Sequence, residues 1–168
     1  MSVPRRVLLV DGDLPPLRMM ALVSARNGYA CEAVFGGREA IRRVQRAPEE
    51  YAAIFTDYLM SPVHGDAVAA AVRADPRAQH IKLILVSGDR DIAETARAAG
   101  FDDHLGKPYE FDEFVALLQR YAGAPPFVMH CFACDTALAP AGAPYDAIAV
   151  VTHLQVCLQP RLEAQAAE

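Results

Sequence analysis

The feature that most constrains this chain is a strict alternation. Short apolar runs, "RVLLV", "ACEAVF", "YAAIFT", "KLILVS" and "FDDHL", are each followed by a longer stretch of helical period, at 15–27, 37–47, 65–74, 90–99 and 110–121. Strands that alternate with helices cannot be joined by hairpins. The pattern therefore predicts an α/β fold whose parallel sheet is covered by helices on both faces. The punctuation agrees, with Pro15 and Pro16 in a first helical turn, Asn27-Gly28 as a C-cap and Asp75-Pro76 as a stop. In the last helix Phe111, Phe114, Leu118 and Tyr121 recur every three or four residues and read as a stripe facing the core.

After Tyr121 the composition changes. "AGAPP", 122–126, reads as a linker, and the segment 127–168 is too short to bury a core of its own. A boundary is expected there, with one larger unit over 1–121 and a small module behind it. The net charge of −5 and the lack of a Lys/Arg cluster argue against a nucleic-acid surface. The run Val7 to Val10 is too short for a signal peptide or a membrane span, which leads to the expectation of a cytoplasmic protein.

In an open parallel sheet, ligands bind beyond the carboxyl ends of the strands. The residues just after the apolar runs are Asp11 and Asp13, Asp57, Ser87 and Lys107. Acids, a hydroxyl and a lysine converging on one edge suit a phosphoryl group with a divalent cation. Carboxylates hold Mg²⁺ by hard oxygen ligation, and lysine and hydroxyl meet the phosphoryl oxygens.

"TDYLMSPVHG", with Asp57, Met60, Pro62 and Gly65, resembles the phosphoacceptor loop of response-regulator receiver domains, and "VSG" and "LGKP" fall where that family has them. The resemblance covers about 1–121. It implies a doubly wound, flavodoxin-like sheet of order 2-1-3-4-5, Asp57 as phosphoacceptor, Ser87 as switch hydroxyl and Lys107 as phosphoryl contact. It also implies a Mg²⁺ site built from Asp11, Asp57 and the backbone carbonyl of Leu59, and places His104 at the switch position usually held by Tyr or Phe. A histidine kinase or histidine phosphotransfer protein is the implied partner, with no catalysis beyond phosphorylation at Asp57. Two departures stand out. Gly12 replaces the second of two adjacent acids, the one that ligates the metal directly, and Pro62 falls one place late, after Ser61. Asp13, or a water held by Asp11, is the expected substitute ligand. A receiver silenced by Gly12, acting as a phosphorylation-independent adaptor, is the alternative.

Other readings compete for the same residues. Asp13 before Pro15 suits an N-cap as well as a metal. "LLVDGDLPPL" also resembles the first motif of haloacid dehalogenase phosphatases, with Asp11 as nucleophile and Asp13 as general acid, but that reading leaves Asp57 idle and has Lys107 after Asp102-Asp103, in the wrong order. A flavodoxin phosphate loop fails because two negative charges follow the first run. His64 and His80 read as solvated loop residues, and Cys31 as a small buried core residue.

In the tail, Cys131 and Cys134 form a C-x2-C pair, while His153 and Cys157 share one face of an expected helix over 144–158. Four such ligands suit a structural Zn²⁺ site, with His130 as a spare, and C-x2-C as a redox pair is the alternative. With Arg161 its only Lys or Arg, this module reads as a surface for an output partner protein or self-association, and not as a DNA reader.

Overall fold

The computed structural model describes residues 6–123, 129–130 and 137–139. In chain order the elements are β1 (Arg6–Asp11), α1 (Leu14–Arg26), β2 (Cys31–Phe35), α2 (Gly37–Arg46), β3 (Tyr51–Asp57) and α3 (Gly65–Ala74). They continue with β4 (Lys82–Ser87), α4 (Ile92–Ala98), β5 (Asp103–Gly106) and α5 (Phe111–Ala122). Two short strands, β6 (Met129–His130) and β7 (Ala137–Ala139), pair antiparallel.

The five main strands form one parallel sheet of order β2-β1-β3-β4-β5. In β1 and β4 every residue after the first is buried, the signature of strands covered on both faces. One helical layer packs Ala40 and Val44 of α2, Val68, Ala69 and Val72 of α3, and Ile92 and Ala96 of α4 against one face. The other face is covered by Leu17, Met20 and Val23 of α1 with Phe114 and Leu118 of α5. There Phe55 of β3 meets Phe114 edge to face, with ring centroids 5.0 Å apart.

Several expectations shift in detail. Helix α4 begins at Ile92 and not at 90, because the Asp89 side chain turns the chain before it. The fifth strand is Asp103–Gly106, two residues beyond the start of "FDDHL". Phe111 does not join the core stripe: at the first position of α5 it projects past the end of the sheet and is 49% exposed. Cys31 is half-buried in an edge strand, its thiol 3.6 Å from the Ala21 carbonyl oxygen. His64 is exposed as expected, whereas His80 is partly buried, with Nε2 3.2 Å from the Tyr51 carbonyl oxygen. Helix α5 runs to Ala122. The zinc expectation at Cys131, Cys134, His153 and Cys157, the spare ligand role of the His130 side chain and the helix over 144–158 lie outside the described residues.

Candidate functional site

The carboxyl ends of β1, β3, β4 and β5 bring together Asp11, Asp57, Ser87 and the Lys107 that follows β5. The parallel register places Val10 beside Thr56 and Asp57 beside Val86, so Asp11 and Asp57 end neighbouring strands at one level. The Lys107 ammonium lies between them, donating to Asp57 Oδ1 at 2.8 Å and to Asp11 Oδ2 at 3.0 Å. Burial draws the Lys107 pKa down, but the two carboxylates outweigh it and hold the ammonium above its ordinary value. Burial pushes the Asp57 carboxyl above its ordinary value; Lys107 pulls against this and the Asp11 charge adds to it.

The two carboxylates differ in access. Asp11 is 1% exposed, its Oδ1 accepting from the Asp13 N–H at 2.8 Å and its Oδ2 from Lys107. The Asp57 side chain is 13% exposed, which leaves it the more reachable acid. Asp13 occupies the N-cap position of α1, exposed and without a side-chain capping bond. It does not join the buried pair: among the described residues, no three His, Cys, Asp or Glu side chains gather as a metal-binding group.

A β-carbon on Gly12 would lie 3.4 Å from Met60 Cγ and 3.7 Å from the Leu59 carbonyl oxygen, so that carbonyl lines the space a second acid would fill. Gly65 closes the acceptor loop, its N–H donating to the Tyr58 carbonyl at 2.9 Å. A β-carbon there would come within 2.5 Å of the Asp57 carbonyl oxygen, so only glycine fits. The donors present are two carboxylates and the Leu59 carbonyl. Mg²⁺ is commonly held by one or two carboxylates with waters and phosphate oxygens, so this set fits a magnesium ion that completes its shell from solvent and ligand.

On the other side of Asp57, the Asp89 N–H donates to Ser87 Oγ at 3.2 Å. The Asp89 carboxylate accepts from the Asp91 N–H at 3.1 Å and from the Thr95 hydroxyl at 2.9 Å, so Ser87 is linked to the first turn of α4. The Asp91 N–H first, and then the Thr95 hydroxyl, hold the Asp89 carboxyl below its ordinary value. His104, on β5, has its Nδ1 3.8 Å from Asp103 Oδ1, and Asp103 in turn accepts from the Tyr121 hydroxyl at 2.8 Å. Neither the Asp89 link nor the contact of Lys107 with Asp11 is anticipated by the sequence reading. An aspartate two residues after Ser87, just before a helix, is the local signal for the first.

Residues 7–119 match the family model described as the response regulator receiver domain. The chain belongs to this family. The acid tolerance regulatory protein ActR of Rhizobium meliloti (strain 1021) is 31% identical over 119 residues, 69% of this chain and 59% of that protein. The transcriptional regulatory protein CutR of Streptomyces coelicolor is 27% identical over 66% of this chain and 50% of that protein. The matched region thus spans little more than half the length of these curated relatives. Among solved structures, the chemotaxis response regulator CheY4 of Vibrio cholerae superposes with a TM-score of 0.64 at 24% identity, covering 70% of this chain and 98% of that one. The receiver domain of sensor histidine kinase PA1611 from Pseudomonas aeruginosa PAO1, with magnesium coordinated in its active-site cleft, gives 0.62 at 24% identity over 71% and 98%. At that identity these two establish the receiver fold, in agreement with the sheet order. No helix among the described residues is long and apolar enough to cross a membrane.

Proposed function

We propose that this receiver accepts a phosphoryl group on Asp57 from the phosphohistidine of a histidine kinase or phosphotransfer protein, and signals through protein contact. The observation that carries the reading is the asymmetry of the two acids: both touch Lys107, but Asp11 is sealed while Asp57 opens to the cleft. That asymmetry also disfavours Asp11 as a phosphatase nucleophile.

In the transfer, an Asp57 oxygen attacks phosphorus in line as the bond to the histidine nitrogen breaks. Lys107, already hydrogen-bonded to Asp57, follows the charge onto the phosphoryl oxygens. Ser87 leaves the Asp89 N–H and turns to the same oxygens, which releases the first turn of α4 from one of its ties. A magnesium ion held by Asp11, Asp57 and the Leu59 carbonyl would supply further charge neutralisation, with Gly12 making that site weaker than one with a third carboxylate. No metabolic substrate is turned over.

A protein donor suits the rim. Leu14, Phe35, Leu59 and Phe111 are 49%, 57%, 73% and 49% exposed and all lie at the strand-end edge around the acids. The net charge of −5 favours protein over nucleic acid as the output contact. The test is incubation with acetyl phosphate and Mg²⁺, borohydride reduction of any acyl phosphate, and peptide mass spectrometry. Label on Asp57 supports the proposal. Label on Asp11 would assign a phosphatase-type nucleophile, and absence of label would favour the phosphorylation-independent adaptor.

A further inference from the structure

Helices α2, α3 and α4 form one layer on the sheet, with α3 between the other two. The charge of that layer is polarised from edge to edge. Helix α2 exposes Arg38, Arg42 and Arg46, spaced four residues apart and so aligned on one side, with Arg42 also reaching the Glu39 carboxylate at 3.2 Å in an exposed pair. Across α3, a groove of about 630 Å³ opens between α3 and α4, lined by Asp66, Asp91 and Glu94 over a floor of Tyr58 and alanines, with no basic side chain in its lining. Arg90, exposed beside Asp91 just before α4, does not line the groove. Arg73 of α3 is paired with Asp102 at 2.6 Å, and Arg97 of α4 lines the cleft on the β5 side of that helix.

We propose that this face docks a second copy of the chain, with α2 of each copy lying over the α3–α4 groove of the other. A twofold axis running along α3 superimposes the arginine edge of one layer on the acidic edge of its mate, and makes the same contact twice. The interface is then closed and self-complementary. Ala67, Ala70 and Ala74, exposed on α3, allow close approach at the axis. The axis keeps levels along these parallel helices, so Arg38 and Arg42, in the first half of α2, meet the acids at the starts of α3 and α4. Each lays its aliphatic stem along the groove floor and its guanidinium against a carboxylate, a geometry that a planar fork serves better than a lysine.

Sedimentation velocity of the unphosphorylated full chain tests this through charge exchange. The expected result is a concentration-dependent dimer whose dissociation constant rises about tenfold or more between ~0.05 M and ~0.5 M salt, as screening shortens the reach of the pairs. Arg38→Glu/Arg42→Glu and Asp91→Lys/Glu94→Lys are each expected to be monomeric alone, because both contacts then oppose like charges. Mixed one to one they are complementary at both contacts, and the dimer returns. Far-UV circular dichroism checks that the variants fold, and Arg38→Gln/Arg42→Gln gives the weakening without a new charge. A wild type monomeric throughout, a dimer that survives in either charge-reversed variant, or a mixture that stays monomeric would each overturn the proposal. A monomeric wild type that instead binds an arginine-rich peptide, and loses it in Asp91→Lys/Glu94→Lys, would assign the groove to a foreign partner.

Discussion

Asp57 has two unlike neighbours. On its Lys107 side, three charges pack at 2.8 and 3.0 Å with one carboxylate fully buried. On its Ser87 side, the hydroxyl has one neutral bond of 3.2 Å, and the chain continues to an exposed helical turn. The first arrangement resists displacement of its lysine, because without it two carboxylates are stranded in a poorly solvated place. The second yields cheaply. The cleft is thus rigid on its charged side and loose on its hydroxyl side, and four experiments bear on the contrast.

The largest effect is expected on the rigid side. Lys107→Met removes the cation hydrogen-bonded to both acids and leaves Asp11 and Asp57 facing each other. The expected cost is about 3 kcal/mol at neutral pH, the low end for breaking a buried pair, since Lys107 keeps some solvent contact. Urea denaturation measures it; a loss below about 1 kcal/mol, the scale of a surface pair, would mean that the triad is not a locked unit. Wild-type stability should also fall as pH rises through the elevated Lys107 value, above 10.5, and the variant should lack that decline.

Gly12→Asp sharpens the comparison by adding charge to the same side. The nearest obstacle, Met60 Cγ at 3.4 Å, is part of a flexible side chain, so the aspartate fits beside the Leu59 carbonyl. Magnesium affinity is expected to rise by about 10- to 100-fold, as a hard cation gains a third anionic ligand. Isothermal titration calorimetry of both forms provides the comparison. Equal affinities would place the metal elsewhere or nowhere.

Asp57→Asn probes the balance within the triad. Because the folded Asp57 pKa is raised, its ionised form opposes folding at neutral pH, and that cost disappears as pH falls toward 3.8. The variant is expected to be more stable than wild type at pH 7 by roughly 0.5–1 kcal/mol, the scale of one altered polar interaction. The difference should shrink on acidification. A less stable variant at pH 7 would show that the Lys107 attraction outweighs burial.

The two sides were not equally legible in the sequence. Strand ends are marked by the switch from apolar runs to polar residues, so Asp11, Asp57, Ser87 and Lys107 could be placed on one edge from periodicity alone. What periodicity lacks is lateral distance. That Lys107 reaches Asp11 depends on β1 and β3 being neighbours across the sheet, 96 residues apart in sequence for that contact. For Asp13, local sequence suited an N-cap and a metal ligand equally, and tertiary placement left it exposed without a side-chain cap. Phe111 obeyed the helical period yet escaped the core, because periodicity gives the face of a helix and not where the sheet beneath it ends.

The smallest expected effect lies on the loose side, and it is the most specific. Asp89→Ala leaves the triad untouched but cuts the link from Ser87 to Thr95 and the Asp91 N–H. Labelling of Asp57 by acetyl phosphate should proceed within about twofold of wild type, because no group in contact with the reacting atoms has changed. The response of α4 should differ. In the wild type, phosphorylation is expected to alter hydrogen-exchange protection of the amides of Glu94 and Thr95, which bond to the Asp91 carbonyl at 3.0 Å. In Asp89→Ala those amides should already exchange faster before phosphorylation and change little after it. A full phosphorylation-dependent change in the variant would mean that the message leaves Asp57 by another route, through His104 and Asp103 on β5, and that the looseness beside Ser87 is a property of an exposed loop and not of a switch.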